Sequence, residues 1–104
     1  MATWRVDNLA TLAIAANPAS AVRDGFRDVP QIEQVYLAHA GDRGVTVLIV
    51  IDKKDYAVMR RIFEVESKII EALPGISINF DVIVREGRPV GDLVSPRGNP
   101  LIQR

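Results

Sequence analysis

The chain has 104 residues, with 13 lysines and arginines, 13 aspartates and glutamates, one histidine and no cysteine. This length suits one domain, and we expect residues 1–104 to form it. The lack of cysteine excludes a disulfide scaffold, an iron–sulfur cluster and a cysteine nucleophile, and a formal charge of zero argues against duplex nucleic acid as a partner.

Two helices are predicted at the start of the chain, over residues 7–16 and 17–27. Asp7 is the expected N-cap of the first, because its carboxylate accepts the free amide hydrogens of the first turn. Asn17 is the expected N-cap of the second, and Pro18 takes its first position, where no amide hydrogen is needed.

Two strands are predicted next, over residues 32–39 and 45–52. The five residues between them, 40–44, include two glycines, and a short loop of this kind favours an antiparallel hairpin. The second strand is an almost unbroken apolar run. Such a run predicts either cover on both faces or a place in mid-sheet with one face partly open.

The clearest helix covers residues 55–73, with Asp55 as its expected N-cap. Its apolar residues recur at spacings of three and four, which predicts one stripe facing the core. The stripe contains Val58, Met59, Ile62, Phe63, Ile69, Ile70 and Leu73. The aromatic residues Tyr36, Tyr56, Phe63 and Phe80 also take core-like positions, which argues against a platform for stacking bases.

Residues 76–84 alternate between apolar and polar side chains, which predicts a half-buried strand. The crossover through 55–73 makes this strand parallel to 45–52, though not necessarily its neighbour. Residues 85–104 are predicted to form a surface tail with a short turn near 89–94. The expected fold is α+β in the order α-α-β-β-α-β: a three-stranded mixed sheet has the long helix on one face, and the N-terminal helices cover another edge or face.

Glu66 is the first candidate for chemistry, because it falls in the middle of the apolar stripe. A buried, unpaired carboxylate is costly, so it needs a partner or a proton. It therefore indicates either a carboxylate of raised pKa in a cleft or a structural pair, for example with His39. His39 itself ends a strand and could be a base or a ligand, but no serine or cysteine lies at motif spacing from it.

Arg43 and Gly44 are candidates for phosphate binding, since a glycine-containing loop and an arginine can hold an anion. The same loop also suits an ordinary hairpin, because phosphate-binding loops usually open a helix. Asp52 and Asp81, with Asp55, are candidates for a magnesium site at one end of the sheet. Their alternative roles are a strand exit, a solvated strand face and a helix cap.

Residues 18–84 resemble the small bacterial nucleotidyltransferases through the strand 32–37, the pair Arg43-Gly44 and the strand 79–84. The resemblance implies a nucleotidyltransferase-like fold and places the family's third carboxylate at Asp81. The family's two metal-binding aspartates fall on Val45 and Val47, and its Gly-Ser falls on residues 39–40. Because valine cannot hold magnesium, the resemblance implies a catalytically degenerate version.

The hairpin–helix–strand segment also resembles the cytoplasmic domain of cation diffusion facilitators. That resemblance implies dimerisation, and it implies metal binding in the family through histidines that this chain mostly lacks. It concerns a pattern of elements, and such a pattern does not determine function.

Two hypotheses for function follow. The first is a non-catalytic interaction or regulatory module without a cofactor, acting as a homodimer or with a protein partner, because a small sheet leaves open edges. The alternative is a nucleotide- or metal-dependent enzyme of nucleotidyltransferase type that uses Asp52, Asp81, Glu66 and His39. No apolar run approaches 18 residues and no signal peptide is recognised, so we expect a cytoplasmic protein that does not contact the membrane.

Overall fold

The structure is a computed structural model that describes residues 17–39, 44–92 and 99–104. The helix predicted over 7–16 and the loop residues 40–43, Arg43 among them, lie outside these residues. In the described ranges the chain forms α1 (Pro18–Phe26), β1 (Ile32–His39), β2 (Gly44–Ile51), α2 (Tyr56–Ala72), β3 (Ser77–Val84), a 3₁₀ turn (Val90–Asp92) and β4 (Ile102–Gln103). The predicted α+β class is confirmed.

Both described helices begin where their capping residues place them. The Asn17 side chain accepts a hydrogen bond from the amide of Ala19 at 3.0 Å. The Asp55 carboxylate accepts one from the amide of Ala57 at 2.8 Å. Each cap satisfies an amide that has no partner inside the helix, which fixes where that helix starts.

The sheet has the strand order β3-β2-β1-β4. Strands β1 and β2 are antiparallel, as predicted for the hairpin. Strands β2 and β3 are parallel and adjacent, in continuous register from Gly44 opposite Ser77 to Ile51 opposite Val84. The crossover through α2 therefore joins two neighbouring strands.

The prediction of three strands is wrong, because the tail adds β4 to the outer side of β1. Gln103 pairs with Gln34 and Ile102 with Val35 in antiparallel register, and the amide of Leu101 donates to the carbonyl of Val35 at 2.7 Å. A two-residue strand is too short to show alternation in the sequence. Strand β1 offers unpaired backbone groups at that side, and β4 satisfies some of them.

Both helices pack on one face of the sheet, so the expectation that the N-terminal helices cover another edge or face is wrong for α1. The ring of Phe26 on α1 meets the ring of Phe80 on β3 edge-on, with centroids 6.3 Å apart. One continuous core joins the helices to that face of the sheet; its buried members include Val22, Phe26, Val35, Val47, Ile49, Ile62 and Ile69.

The second face of the sheet is only partly open. Val50 of β2 points to that face and is fully buried, while Thr46 and Leu48 on the same face are half-buried. Strand β2 thus lies inside the sheet with its second face partly exposed, which decides between the two alternatives raised by its apolar run.

Candidate functional site

The apolar side of α2 is wider than the surface it covers. Three of its residues, Val58, Ile62 and Ile69, are buried against the sheet and α1, as is Leu73 at its C-cap. Phe63 and Ile70, by contrast, are 53% and 51% exposed. The prediction that the whole stripe faces the core is therefore wrong for these two residues.

The exposed apolar residues line up along one side of α2. Tyr56, Phe63 and Ile70 recur every seven residues, which is close to two full turns of an α-helix. Tyr56 is 80% exposed, and the ammonium group of Lys54 lies 5.8 Å from the centre of its ring. We call these three residues, with the half-buried Met59 beside them, the α2 stripe.

The width of the apolar arc on α2 indicates the α2 stripe from the sequence alone. The apolar arc from Val58 to Phe63 spans roughly 140° on a helical wheel at 100° per residue. A helix resting on a core buries an apolar arc of about 100°. The excess lies on the side of α2 away from α1, because Gly25 of α1 faces Val65 and Ile69 instead.

Glu66 lies at the boundary between the core side of α2 and the α2 stripe. Its carboxylate oxygen Oε2 is buried and accepts no hydrogen bond from any described residue. Burial raises the pKa of this carboxyl above its ordinary value. The described residues therefore do not support the interpretation of Glu66 as a member of a structural pair, because none of them is its hydrogen-bond partner.

A second charged group joins the ends of three strands. Arg85, directly after β3, donates from Nε and Nη2 to both carboxylate oxygens of Glu33 on β1, at 2.5 and 2.9 Å. Its Nη1 lies 3.8 Å from Asp52, directly after β2. The hydrogen bonds from Arg85 lower the pKa of Glu33, and those to Glu33 raise the pKa of Arg85.

Asp52 also shapes the turn that follows β3. Its carboxylate accepts a hydrogen bond from the amide of Gly87 at 2.7 Å, and its carbonyl accepts one from the amide of Glu86 at 2.7 Å. Glu86 and Gly87 both have positive φ, 51° and 80°, and these contacts hold the turn in that conformation. This carboxylate, predicted as a metal ligand, is engaged in holding the turn.

The predicted site residues do not converge. Asp81 lies opposite Leu48, and Asp52 follows four residues later along β2, a separation of about 13 Å at the rise of a strand. His39 pairs with Val45 near the other end of β2, on the face that carries the helices, whereas Asp81 is exposed on the second face.

The remaining candidates do not add a metal site in the part of the chain that is described. Gly44 is the first residue of β2. Within residues 17–39, 44–92 and 99–104, no group of three or more histidine, aspartate or glutamate side chains is placed to hold a metal ion.

A groove of about 540 Å³ separates α1 from α2 on the side opposite to the α2 stripe. Gly25 and Val65 form its floor, and Asp28, Arg61, Glu64 and Lys68 form its charged rim. Charges of both signs surround it, and the described part of the chain contains no buried polar residue that would orient a ligand there.

Comparisons with protein-family models, curated proteins and solved structures found no match for this chain. In the described ranges, neither helix is both long enough and apolar enough to cross a membrane.

Proposed function

We propose that this protein is a non-catalytic interaction module and that the α2 stripe is its docking surface. The observation that carries the proposal is the exposure of Phe63 and Ile70, each about half open to solvent on the same side of one helix. Single exposed apolar residues are ordinary on protein surfaces, whereas an aligned group of them marks an interaction surface.

The composition of the α2 stripe also suits docking. Its exposed centre holds an aromatic and an aliphatic side chain, Phe63 and Ile70. Exposed charged residues, Arg60 and Glu71, border it on one flank. Protein interfaces commonly combine an apolar centre that includes aromatic residues with a polar rim.

The outer edge of β3 is a competing surface, since β3 is the last strand on its side of the sheet. Asp81 is exposed near the middle of that strand. A charged residue on an edge strand opposes pairing with another strand. For this reason we place the docking surface on α2 and not on the β3 edge.

The proposal includes the resemblance to nucleotidyltransferases, with this chain as a catalytically degenerate version. The pairing of β1 with β2 and of β2 with β3 around α2 is compatible with that likeness. Val45 and Val47, at the positions of the family's two aspartates, are both buried, and Val47 belongs to the core that the helices cover. Apolar side chains facing the core there support a role without metal-dependent transfer.

A thermal-shift titration with magnesium and ATP tests the alternative of a nucleotide-dependent enzyme. We expect the melting temperature to stay constant. A ligand present at a hundred times its dissociation constant would stabilise the fold by about 2.7 kcal/mol. For a domain of this size, such binding raises the melting temperature by roughly 10 °C or more, which would overturn the non-catalytic proposal.

Photocrosslinking tests the docking surface directly. A photoreactive phenylalanine analogue replaces Phe63 or Ile70 in cells that produce the protein, and the control variant carries it at the exposed Lys68 on the other side of α2. We expect one defined crosslinked protein for positions 63 and 70, identified by mass spectrometry. Crosslinking no stronger than at position 68 would contradict the proposal.

A further inference from the structure

We infer that the occupant of the α2 stripe is a second copy of this chain, packed with its own α2 antiparallel across a two-fold axis. This inference rests on the proposed function and names the partner.

The apolar residues match under such an axis. An axis that passes α2 between Glu66 and Ser67 puts Phe63 of each copy opposite Ile70 of the other. The two residues stand about 10 Å apart along one helix, so the pair forms two equal apolar contacts. Ser67 lies between them on the exposed side, and its small side chain lets the two helices approach.

The charges beside the α2 stripe match under the same axis. Arg60 and Glu71 are both exposed, on the same flank of α2 and within about 20° of each other on a helical wheel. Measured along the helix axis, Arg60 of one copy and Glu71 of the other then lie about 3 Å apart. This complementarity occurs twice, and neither residue forms an ion pair with a described residue of its own chain.

The order of these charges selects the antiparallel arrangement. In a parallel pair in register, the two-fold axis runs along the helices and puts Arg60 and Glu71 of one copy on the flank opposite to those of the other, so the opposite charges do not meet. The antiparallel pair instead joins opposite charges at both ends. In the antiparallel pair, the two Glu66 residues lie on the other flank at nearly the same position along the helix axis. We therefore expect Glu66→Gln to tighten the dimer, because it removes two like charges.

The charge order can be tested by sedimentation velocity over a concentration series with five samples. The wild type is expected to dimerise, and Arg60→Glu and Glu71→Arg are each expected to dimerise more weakly because each creates like-charge pairs. The double variant Arg60→Glu/Glu71→Arg is expected to recover dimerisation. An equimolar mixture of the two single variants is expected to form mixed dimers, since every pair across that interface is then of opposite charge.

The matched control for folding is the far-ultraviolet spectrum of each variant and its melting temperature at a concentration where every variant is monomeric, both of which should equal those of the wild type. A wild-type chain that stays monomeric at millimolar concentration would overturn the inference, as would single variants that dimerise as well as the double variant. If the photocrosslinks at Phe63 then identify a different protein, the docking surface stands and only the second copy fails. If they identify none, both fail.

Discussion

Phe63 and Ile70 stand two turns apart on one side of α2, and each leaves about half of its surface in solvent although the helix has a fully buried side. The sheet and α1 cover Ile62 and Ile69, one position before each of them in the chain. The apolar surface of α2 thus continues past the core and out to solvent. This continuation is the basis for assigning a docking role to the helix.

Replacing the exposed residues should cost little stability. We expect Phe63→Gln and Ile70→Gln each to lower the free energy of unfolding by about 1 kcal/mol or less, because each side chain is only partly buried. The control Ile62→Ala should lower it by about 2–5 kcal/mol, since it empties part of the core. Urea unfolding measures all three, and equal losses would assign Phe63 and Ile70 to the core.

Glu66→Gln should raise stability at neutral pH by less than about 1 kcal/mol, since water partly screens the carboxylate. The pKa of Glu66 is raised in the folded state, so the folded chain holds this proton more firmly than the unfolded chain. Its stabilising effect is complete below the unfolded pKa, about 4.3, and is lost as the pH rises through the folded pKa. The advantage of the glutamine variant should therefore disappear on acidification, in melting curves recorded between pH 4 and 8.

A substitution to leucine separates the two interpretations of Glu66. Without a hydrogen-bond partner, Glu66→Leu should lower the free energy of unfolding by no more than about 1 kcal/mol. A loss above about 3 kcal/mol would show that the carboxylate has a structural partner.

The pair between Glu33 and Arg85 should show the opposite pH dependence. Because hydrogen bonds from Arg85 lower the pKa of Glu33, the pair stabilises the fold above the unfolded pKa of about 4.3. That contribution is lost as the pH falls through the folded pKa. Glu33→Gln should therefore lower the melting temperature at pH 7, by an amount that shrinks in acid, whereas the exposed control Glu64→Gln should change it little. A deficit that stays constant with pH would contradict the pairing.

Arg104 should stabilise the fold although the residue is exposed. Its Nη1 donates to the carbonyls of Ile32 at 2.6 Å and Val29 at 3.0 Å, which ties the end of β4 to the start of β1 and to the connection before it. We expect Arg104→Gln to lower the free energy of unfolding by about 1 kcal/mol. The control Arg88→Gln should have no measurable effect in the same urea titration. Equal midpoints for the two variants would show that the contacts of Arg104 do not stabilise the fold.

Much of the fold follows from local features of the sequence. The capping residues Asn17 and Asp55 start both described helices, and alternation in residues 76–84 identifies β3. Strand β4 could not be predicted, because two residues show no period and their pairing depends on the backbone of β1.

The candidate site was harder to predict than the fold. Periodicity shows which residues of α2 share a side, but it does not show how much of that side the sheet and α1 cover. The spacing alone therefore predicts Phe63 and Ile70 in the core, whereas about half of each is exposed. The contact of Glu33 with Arg85 joins residues 52 positions apart and arises only from the strand order. Glu66 was predictable, because a carboxylate inside an apolar stripe is visible in the sequence itself.

Disulfide trapping at Ser67 is the most direct test of the docking of α2 on a second α2. The chain has no cysteine, so Ser67→Cys introduces a single thiol close to the proposed two-fold axis, and Lys68→Cys places one on the other side of the helix. Under mild oxidation, Ser67→Cys should form covalent dimers faster than Lys68→Cys, since a disulfide requires Cα atoms within about 7 Å. Equal rates for the two variants would contradict the arrangement.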